Sequence, residues 1–324
     1  MSFKLLFIID KVEFQYFEMN ELVTSFWLIK EALRRGWDIF ITTQDRLFLY
    51  NNTPHSLAFK TTLTQELVRE KNPSQVMLND FDMILFRPDP PVDIDYINST
   101  YVLDFVDTSK TLVINSPSGI RKANEKLYIN NFKSVVPENI STSNAGLIKD
   151  FVNECGEVIL KPLNKCFGKG VFYLKKGDKN INTIIETATN GGKTIVMAQQ
   201  YLEKVKEGDK RVIIIGGEIF EETIVKVSGE GDFKFNNHSD EFFRKGYITD
   251  EDREICRVIS PKLIEDGLLL VGLDVIDGKM IEINVTSPCF FIKEINQMFN
   301  TKLEEKIVNY LENLLSYPKG YLKI

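Results

Sequence analysis

The first third of the chain alternates short apolar runs with amphipathic stretches. The run KLLFIID at residues 4–10 predicts a buried first strand, and the apolar spacing over residues 20–35, which ends at Gly36, predicts a helix. Residues 51–79 have few long apolar runs, and we expect a partly ordered excursion at the surface there. Strands that alternate with helices imply a parallel sheet with helices on its faces. The other predicted elements of this part are strands at 37–42, 82–87 and 111–115 and a helix at 94–108.

The pattern changes from about residue 121, where strands and helices no longer alternate regularly. Asn124, Glu125 and Lys126 are expected to open a helix, and residues 164–170 are expected to form a loop. The remaining predictions are strands at 157–162, 171–175 and 194–199, a hairpin of 210–216 with 218–227, and helices at 181–189, 252–265 and 301–315. The chain therefore belongs to the α/β class, with a second part that mixes helices and antiparallel strands.

The segment GLDVIDGKMIEINVTSP predicts a hairpin that turns at Asp277-Gly278. Side chains alternate along a strand, so Glu282 and Asn284 share one face. A two-residue loop would put Asp274 on the opposite face from Glu282, whereas a three-residue loop that includes Lys279 would put it directly across; we predict the longer loop. Three hard oxygen ligands suit a magnesium–nucleotide complex. The alternative is an ordinary hairpin whose polar residues face water.

Composition narrows the possible functions. The chain has 324 residues, enough for two or three domains, and its net charge of −6 argues against nucleic acid as the main partner. We find no apolar run long enough to span a bilayer, and we read the apolar start as a strand and not as a signal segment. We expect a cytoplasmic protein with reduced thiols, since the four cysteines (Cys155, Cys166, Cys256 and Cys289) are scattered. With two histidines only, histidine-based triads and zinc sites are disfavoured.

Several charged and polar residues stand at strand ends. Lys161 ends the apolar run EVILKP, where a bound phosphate would offset the cost of its charge, although a lysine that reaches out to water would also fit. Gly168 and Gly170 suit a loop whose backbone N–H groups bind an anion. The segments Gln199 to Leu202 and Asp209 to Arg211 suit an adenine contact and a phosphoryl contact, or else a turn and a solvated charge cluster.

Taken in order, these segments resemble the prokaryotic glutathione synthetases of the ATP-grasp superfamily. The resemblance covers almost the full length of the chain, and GDKRV together with INVTSP is its most specific part. The matching pieces are EALRRG, DMILFRPDPP, INSPSGIRKANEKLY, VILKPL, MAQQYL, GDKRVIIIGGE and VGLDVIDGKMIEINVTSP. The resemblance implies an N-terminal parallel-sheet domain over residues 1–120 and a two-lobed ATP-grasp domain with lobes at 121–200 and 201–324.

The resemblance also implies the reaction and the roles of individual residues. The family uses ATP to join γ-glutamylcysteine to glycine through an acyl phosphate, with magnesium as the metal, two ions expected, and manganese as a possible substitute. Homo-oligomers are common in the family. By matching position, Lys126, Lys161, Gly168, Gly170, Gln199, Gln200, Leu202 and Asp209 would bind ATP; Arg211 and Lys226 would act on the reacting phosphoryl group; Asp274, Glu282 and Asn284 would hold the metal; and Arg87, Asn236, Ser287 and Lys293 would contact the peptide substrates.

The chain departs from the family pattern in the segments expected to form the substrate pockets and the lid. Where the family has a glycine-rich stretch like RGNLAAGGRG, this chain has KFNNHSDEFFRKG at residues 234–246, in a lid over 228–247 that we expect to be mobile without nucleotide. The loop after Lys161 reads NKCFGKG where the family has a sequence like DGMGG, and CFFIKE follows INVTSP, so Lys293 stands in for an arginine whose planar fork it lacks. The alternatives are divergence within a working glutathione synthetase, a related carboxylate–amine ligase with another donor or acceptor, and a non-catalytic ATP-binding protein.

Overall fold

The computed structural model describes residues 2–16, 21–166, 168–227 and 242–316. Within these ranges the strands lie in three sheets that follow one another along the chain. No helix in the described ranges has both the length and the apolar character needed to cross a bilayer.

The N-terminal sheet has a parallel centre and an antiparallel edge. Its order is β3-β4-β2-β1-β7-β8; β1 pairs in parallel with β2 and β7, and β7 pairs in parallel with β8, as predicted, whereas β4 pairs antiparallel with β2, β3, β5 and β6. The strands are β1 (Lys4–Ile9), β2 (Asp38–Thr43), β3 (Leu47–Tyr50), β4 (Thr53–Leu63), β5 (Leu67–Arg69), β6 (Ser74–Met77), β7 (Met83–Phe86) and β8 (Leu112–Ile114). The helices of this part are α1 (Lys11–Gln15), α2 (Thr24–Arg34), α3 (Ile94–Leu103) and α4 (Pro117–Lys122).

Two expectations for the first half of the chain are wrong. Residues 51–79 form three strands. In β4 the polar Ser56 and Thr61 are buried beside Ala58 and Phe59, so even the covered positions are only partly apolar and the strand has a low mean apolarity. Asn124 does not open an α-helix. Its side chain accepts the backbone N–H groups of Lys126 and Leu127, and the carbonyl of Glu125 instead accepts the N–H of Ile283. The segment is thereby held against the strand that contains Ile283, and it is followed by two short 3₁₀ turns at Tyr128–Asn131 and Lys133–Val135.

The middle sheet is antiparallel, with the order β11-β10-β12-β9. One face packs on helices α5 and α6 around Ile148, Val158 and Ile185, which are fully buried. The strands are β9 (Asn139–Thr142), β10 (Glu157–Pro162), β11 (Phe172–Lys175) and β12 (Val196–Gln200), and the helices are α5 (Ala145–Cys155) and α6 (Ile181–Ala188).

The C-terminal sheet is also antiparallel, with the order β16-β15-β13-β17-β18 and β14 paired with β13. Helix α9 packs on α2, so that the C-terminal part and the N-terminal sheet share a core. The strands are β13 (Asp209–Ile215), β14 (Glu218–Ile219), β15 (Thr223–Lys226), β16 (Phe243–Gly246), β17 (Leu270–Ile276) and β18 (Lys279–Asn284), and the helices are α7 (Asp250–Glu265), α8 (Ile292–Phe299) and α9 (Leu303–Ser316).

One buried amide joins the N-terminal and C-terminal sheets. Asn115, which follows β8, is 3% exposed. Its Oδ1 accepts the N–H groups of Leu269 and Leu270, both at 2.9 Å, and its Nδ2 donates to the carbonyls of Leu270 at 2.8 Å and Val285 at 2.7 Å. Because buried polar groups are costly when unpaired, these four bonds fix where β17 and the end of β18 lie relative to the first sheet.

The hairpin of β17 and β18 reaches the predicted pairing by a different route. The loop has two residues, Asp277 and Gly278, both with positive φ, so the predicted three-residue loop is wrong. Ile281 is an extra residue on β18, and this bulge shifts the register so that Asp274 lies opposite Glu282, as predicted. A bulge supplies the one-residue offset that the sequence argument assigned to the loop.

Candidate active site

A cavity of about 440 Å³ opens where the three sheets meet. Thirteen of the residues singled out in the sequence line it: Arg87, Lys161, Gly168, Gln199, Gln200, Leu202, Asp209, Arg211, Lys226, Asp274, Glu282, Asn284 and Ser287. Side chains far apart in the sequence therefore share one wall.

Four predicted residues stand differently. Lys126 is not among the described residues that line the cavity, but it contacts Glu282, which does line it. Gly170 and Lys293 are not among the described residues that line the wall, and Asn236 lies outside the described residues, as does most of the 228–247 segment. A helix turns by about 100° per residue, so α8 directs Glu294 into the cavity and turns the adjacent Lys293 away.

The acidic residues of the hairpin are paired with cations. Asp274 Oδ1 accepts from Arg211 Nε at 2.8 Å and from Lys226 Nζ at 3.2 Å, and Glu282 Oε1 accepts from Lys126 Nζ at 3.0 Å. Although burial opposes ionisation, Arg211 and Lys226 hold the pKa of Asp274 well below its usual range. The Asp274 carboxylate is therefore charged, and both acidic side chains are paired with cations of the protein itself.

Lys226 has a second acidic partner, which differs from the first in its environment. Its Nζ is 2.6 Å from Asp209 Oδ2, and the two residues are paired across β13 and β15. Burial, and then the negative charge of Asp274, raise the pKa of Asp209 despite this contact. Asp209 Oδ1 is buried without a hydrogen-bond partner, so this carboxylate has capacity for a further donor or cation.

Lys161 and Lys126 differ in the groups that balance their positive charge. Lys161 is 8% exposed, and its Nζ donates to the neutral amide oxygen of Gln199 at 2.7 Å. Burial lowers the pKa of Lys161, against the pull of Glu282. For Lys126, burial acts in the same direction, but Glu282 and Glu125 outweigh it and hold the pKa of Lys126 above its usual range. An anion that entered the cavity beside Lys161 would supply the charge partner that Gln199 does not.

A missing side chain makes room for Arg211. Gly272 on β17 is paired with Asn284, and a Cβ built on it would lie 3.2 Å from Arg211 Nη1 and 3.3 Å from Pro288 Cβ. This gap lets the guanidinium lie across the strand, where Nη1 donates to the carbonyl of Cys289 at 2.7 Å. The glycine therefore helps to fix the arginine between Asp274 and the 287–289 segment.

The residues fit a metal held jointly with phosphates. Within the described ranges, no group of three or more His, Cys, Asp and Glu side chains could hold a metal by itself. Asp274, Glu282 and Asn284 nevertheless share one face of the hairpin and offer carboxylate and amide oxygens. Magnesium is commonly bound through one or two carboxylates together with substrate phosphates, so this donor set matches its requirements.

Apolar side chains from two sheets line another part of the cavity. Ile159 and Leu202 come from the middle sheet and its exit, and Ile281, the bulge residue, comes from β18. Gln199 Nε2 is 3.4 Å from the carbonyl of Ile281, which joins the two sheets at this point. This apolar slot, lined by Ile159, Leu202 and Ile281 with the polar Gln199 beside it, suits a heterocycle such as a nucleobase.

Sequence reasoning missed several cavity residues. These are Asp89, Glu125 and Glu294, which line the wall. Phe243 and Phe291, from the two segments that depart from the family pattern, also line it, and their ring centroids are 5.1 Å apart. The Arg211 guanidinium lies 5.3 Å from the centre of the Phe291 ring. Asp89 carried a signal, since it lies two residues after Arg87 in the matching piece DMILFRPDPP. The two phenylalanines also carried a signal, because they lie in the segments that depart from the family pattern at the expected substrate pockets.

The architecture is the ATP-grasp fold preceded by a parallel-sheet domain. The crystal structure of D-cycloserine synthetase DcsG matches with a TM-score of 0.70 at 15% identity over 97% of this chain and all of that one, which shows the fold alone. The family model described as "Prokaryotic glutathione synthetase, N-terminal domain" matches residues 3–121, and the one described as "Prokaryotic glutathione synthetase, ATP-grasp domain" matches residues 125–300. The chain belongs to the prokaryotic glutathione synthetase family.

Named relatives agree with this assignment. A glutathione synthetase of Synechocystis sp. is 35% identical over 322 residues, which cover 95% of this chain and 99% of the relative. A glutathione synthetase of Nostoc sp. is 42% identical over 238 residues, which cover 74% of this chain and 73% of that one. The first match extends over nearly the whole of both proteins, so the family applies to both parts of the chain.

Proposed function

We propose that this protein is an ATP-dependent ligase that joins γ-glutamylcysteine to glycine through an acyl phosphate. The observation that supports this most directly is the meeting of Asp274, Glu282 and Asn284 with the buried cations Lys161 and Arg211 in one cavity. Transfer of a phosphoryl group requires both oxygen ligands that can hold a metal and cations that can neutralise the phosphate charge.

The reaction has two bond exchanges. An oxygen of the cysteinyl carboxylate bonds to the γ-phosphorus of ATP, and the bond from that phosphorus to the bridging oxygen of ADP breaks. The glycine amine then bonds to the acyl carbon, phosphate leaves with the electrons of its C–O bond, and the amine loses a proton. Neither exchange needs a protein nucleophile. Positioning and charge neutralisation are the contributions required of the site.

Each cation of the site has a place in this scheme. Lys126 and Lys161 hold the ATP phosphates, while Arg211 and Lys226 offset the charge that develops on the transferred phosphoryl group. Asp274, Glu282 and Asn284 would hold magnesium, two ions in the full complex with manganese as a substitute; when bound, the metal polarises the phosphoryl oxygens. Lys126 would exchange its contact with Glu282 for one with a phosphate, and Asp274, the partner of Arg211 and Lys226, would be one of the residues that hold the metal.

The remaining roles follow the shape of the cavity. Gln199, Gln200 and Leu202 contact the adenine at the apolar slot, with Gly168 over the phosphates and Asp209 near the nucleotide. Arg87 and Ser287 contact the peptide donor. We also propose a cytoplasmic homo-oligomer, and the domain division at about residues 120 and 200 is supported by the three successive sheets.

The test is ADP release with ATP, magnesium and γ-glutamylcysteine, with and without glycine. Strong glycine dependence is expected, and Glu282→Gln should abolish it because a metal ligand is lost. Glu254→Gln is the matched control, since that side chain lies on the exposed face of α7 and contacts only Arg257 in the described structure. Turnover by Glu282→Gln at the wild-type rate would refute the metal assignment.

One observation favours a second candidate, a ligase of the same family with another acceptor. Phe243 and Phe291 line the cavity beside Arg211, in segments where the chain departs from the family pattern. An aromatic wall can pack against a larger or more apolar amine than glycine. A panel of amino acids, peptides and amines in the same ADP assay separates the two, since each predicts a different best acceptor.

A further inference from the structure

The end of the cavity nearest the N-terminal sheet carries a cation and an anion two residues apart. Arg87 and Asp89 follow strand β7, and both line the cavity. Arg87 is 2% exposed, and the partners of its guanidinium are neutral: Nε donates to Ser25 Oγ at 3.1 Å, and Nη2 donates to the carbonyl of Pro288 at 3.0 Å. Asp89 is half-buried and bonded to the hydroxyl of Ser287.

The two charges are both present at neutral pH. Burial, and then the nearby Asp10, raise the pKa of Asp89 to about 6, while Ser287 and Arg87 act against that rise. The neighbouring Glu13 is 4% exposed, and burial raises its pKa to about 8, so it is largely neutral there. A fixed guanidinium and a fixed carboxylate on one wall match a ligand that carries an ammonium and a carboxylate side by side.

We propose that Arg87 and Asp89 together bind the α-amino-acid head group of the peptide donor. Asp89 accepts hydrogen bonds from its α-ammonium, and Arg87 pairs with its α-carboxylate. This inference rests on the proposed function and names the end of the donor that this wall holds. A γ-glutamyl peptide fits, because its peptide bond uses the side-chain carboxyl and leaves the α-ammonium and the α-carboxylate free.

The 287–289 segment supports this orientation. Arg87 is bonded to the carbonyl of Pro288, and Arg211 is bonded to that of Cys289, so the two guanidinium groups are tied to the carbonyls of adjacent residues. The donor carries two carboxylates, whose carbons are about 8–9 Å apart when the seven bonds between them are extended. With the head group at Arg87, the cysteinyl carboxylate lies toward Arg211 and Asp274.

The acceptor is a poorer occupant for Asp89. The acceptor nitrogen must attack an acyl carbon beside the metal hairpin, and it must be unprotonated when it does so. A carboxylate stabilises the ammonium form of an amine, which is not nucleophilic. The donor nitrogen takes no part in the reaction, so holding it as an ammonium carries no such cost.

Two donor analogues separate the charges. Glutaryl-cysteine lacks only the α-ammonium, and 4-aminobutanoyl-cysteine lacks only the α-carboxylate. We would measure their affinities by calorimetry with magnesium and a non-hydrolysable ATP analogue, without glycine. The wild-type protein should bind each about 30-fold to 1,000-fold more weakly than γ-glutamylcysteine, as expected for loss of one partner of a buried charge pair.

Each variant should lose the preference for γ-glutamylcysteine over one of the two analogues. Asp89→Asn should bind γ-glutamylcysteine and glutaryl-cysteine about equally while still discriminating against 4-aminobutanoyl-cysteine, and Arg87→Met should do the reverse. Glu13→Gln is the control, because Glu13 is buried beside the pair but carries no charge at neutral pH; it should keep both ratios. Far-ultraviolet circular dichroism and thermal unfolding would confirm that each variant is folded.

The outcomes separate the inference from the function on which it rests. Equal wild-type affinity for γ-glutamylcysteine and glutaryl-cysteine would overturn the inference even if Asp89→Asn did not fold. An Asp89→Asn variant that keeps the wild-type ratio of affinities for γ-glutamylcysteine and glutaryl-cysteine would also overturn it. So would an Asp89→Asn variant in which only the KM for glycine changes. A wild-type protein that binds none of the three peptides would refute the proposed function as well. If the wild-type protein shows glycine-dependent turnover but the variants keep its affinity ratios, the inference alone is refuted.

Discussion

Replacing Lys161 with methionine should strengthen the fold and weaken ATP binding. The lysine is 8% exposed, and its ammonium group donates to the neutral amide oxygen of Gln199. Burial lowers its pKa, which shows that the folded, ligand-free protein disfavours the charged form. Methionine has a similar length and no charge, so Lys161→Met removes the unfavourable term and keeps most of the packing.

The size of the effect follows from two opposing contributions. The desolvation of one buried ammonium costs several kcal/mol. Loss of the charged hydrogen bond to Gln199 destabilises the variant by about 1.5–3 kcal/mol and so offsets part of the gain from removing that cost. We therefore expect the free energy of unfolding without ligand to rise by about 1–3 kcal/mol. Loss of the phosphate contact should raise the Kd for magnesium–ATP by about 30-fold or more.

Urea unfolding and calorimetric titration with a non-hydrolysable ATP analogue measure these two quantities. Lys126→Met is the matched control, because Lys126 is also buried but has an acidic partner, Glu282, at 3.0 Å. Removing it leaves Glu282 and Glu125 without their cation, so stability should fall by about 1–3 kcal/mol while nucleotide affinity also falls. The two variants should thus change stability in opposite directions. A Lys161→Met protein that is less stable than the wild type, with unchanged nucleotide affinity, would refute the reasoning.

Three further predictions test the framework of the site. Gly272→Ala should displace Arg211 and lower kcat by about 10-fold or more, since loss of one charge-stabilising contact costs on that order, with little change in urea stability; a wild-type kcat would contradict it. Asn115→Ala should lower the free energy of unfolding by about 3–4 kcal/mol, because four buried hydrogen bonds are lost, whereas the exposed Asn130→Ala should change it by less than about 0.5 kcal/mol. Glu13→Gln should reduce the fall in the free energy of unfolding between about pH 5 and pH 8, because the folded wild-type protein holds a proton on Glu13 that the unfolded chain releases. The variant should be more stable than the wild type by about 2–4 kcal/mol at pH 9 and equally stable at pH 5. Parallel curves of unfolding free energy against pH for the two proteins would refute this.

The strand and helix pattern of the chain was largely legible from sequence. The run KLLFII is a strand in the structure, because a central strand covered on both faces is nearly continuous in apolar residues. EVILKP is a strand as well, with Val158 and Leu160 packed on the helices and Ile159 on the cavity. The pattern failed at residues 51–79, where a half-covered antiparallel edge mixes polar and apolar positions and resembles a loop. It failed again at Asn124, where contacts with β18 outweigh a local helix-start signal.

The hairpin shows how a correct pairing can have a different cause. Alternation of side chains and the Asp277-Gly278 signal were enough to predict that Asp274 and Glu282 lie across from each other. The sequence does not indicate where the extra residue sits, because a longer loop and a bulge give the same offset. The structure places it at Ile281, whose side chain thereby reaches the cavity.

The sequence by itself determined the element order, the acidic hairpin and the family to which the chain belongs. Tertiary structure alone decided which charges meet. Lys126 and Glu282 are 156 positions apart, and Arg87 and Pro288 are 201 positions apart. No local pattern encodes such pairs or the burial that shifts their pKa values. For the same reason Glu294 emerged as a member of the site only when three sheets were brought around one cavity. The electrostatic environment of a side chain is a property of the assembled fold and not of its neighbours in the chain.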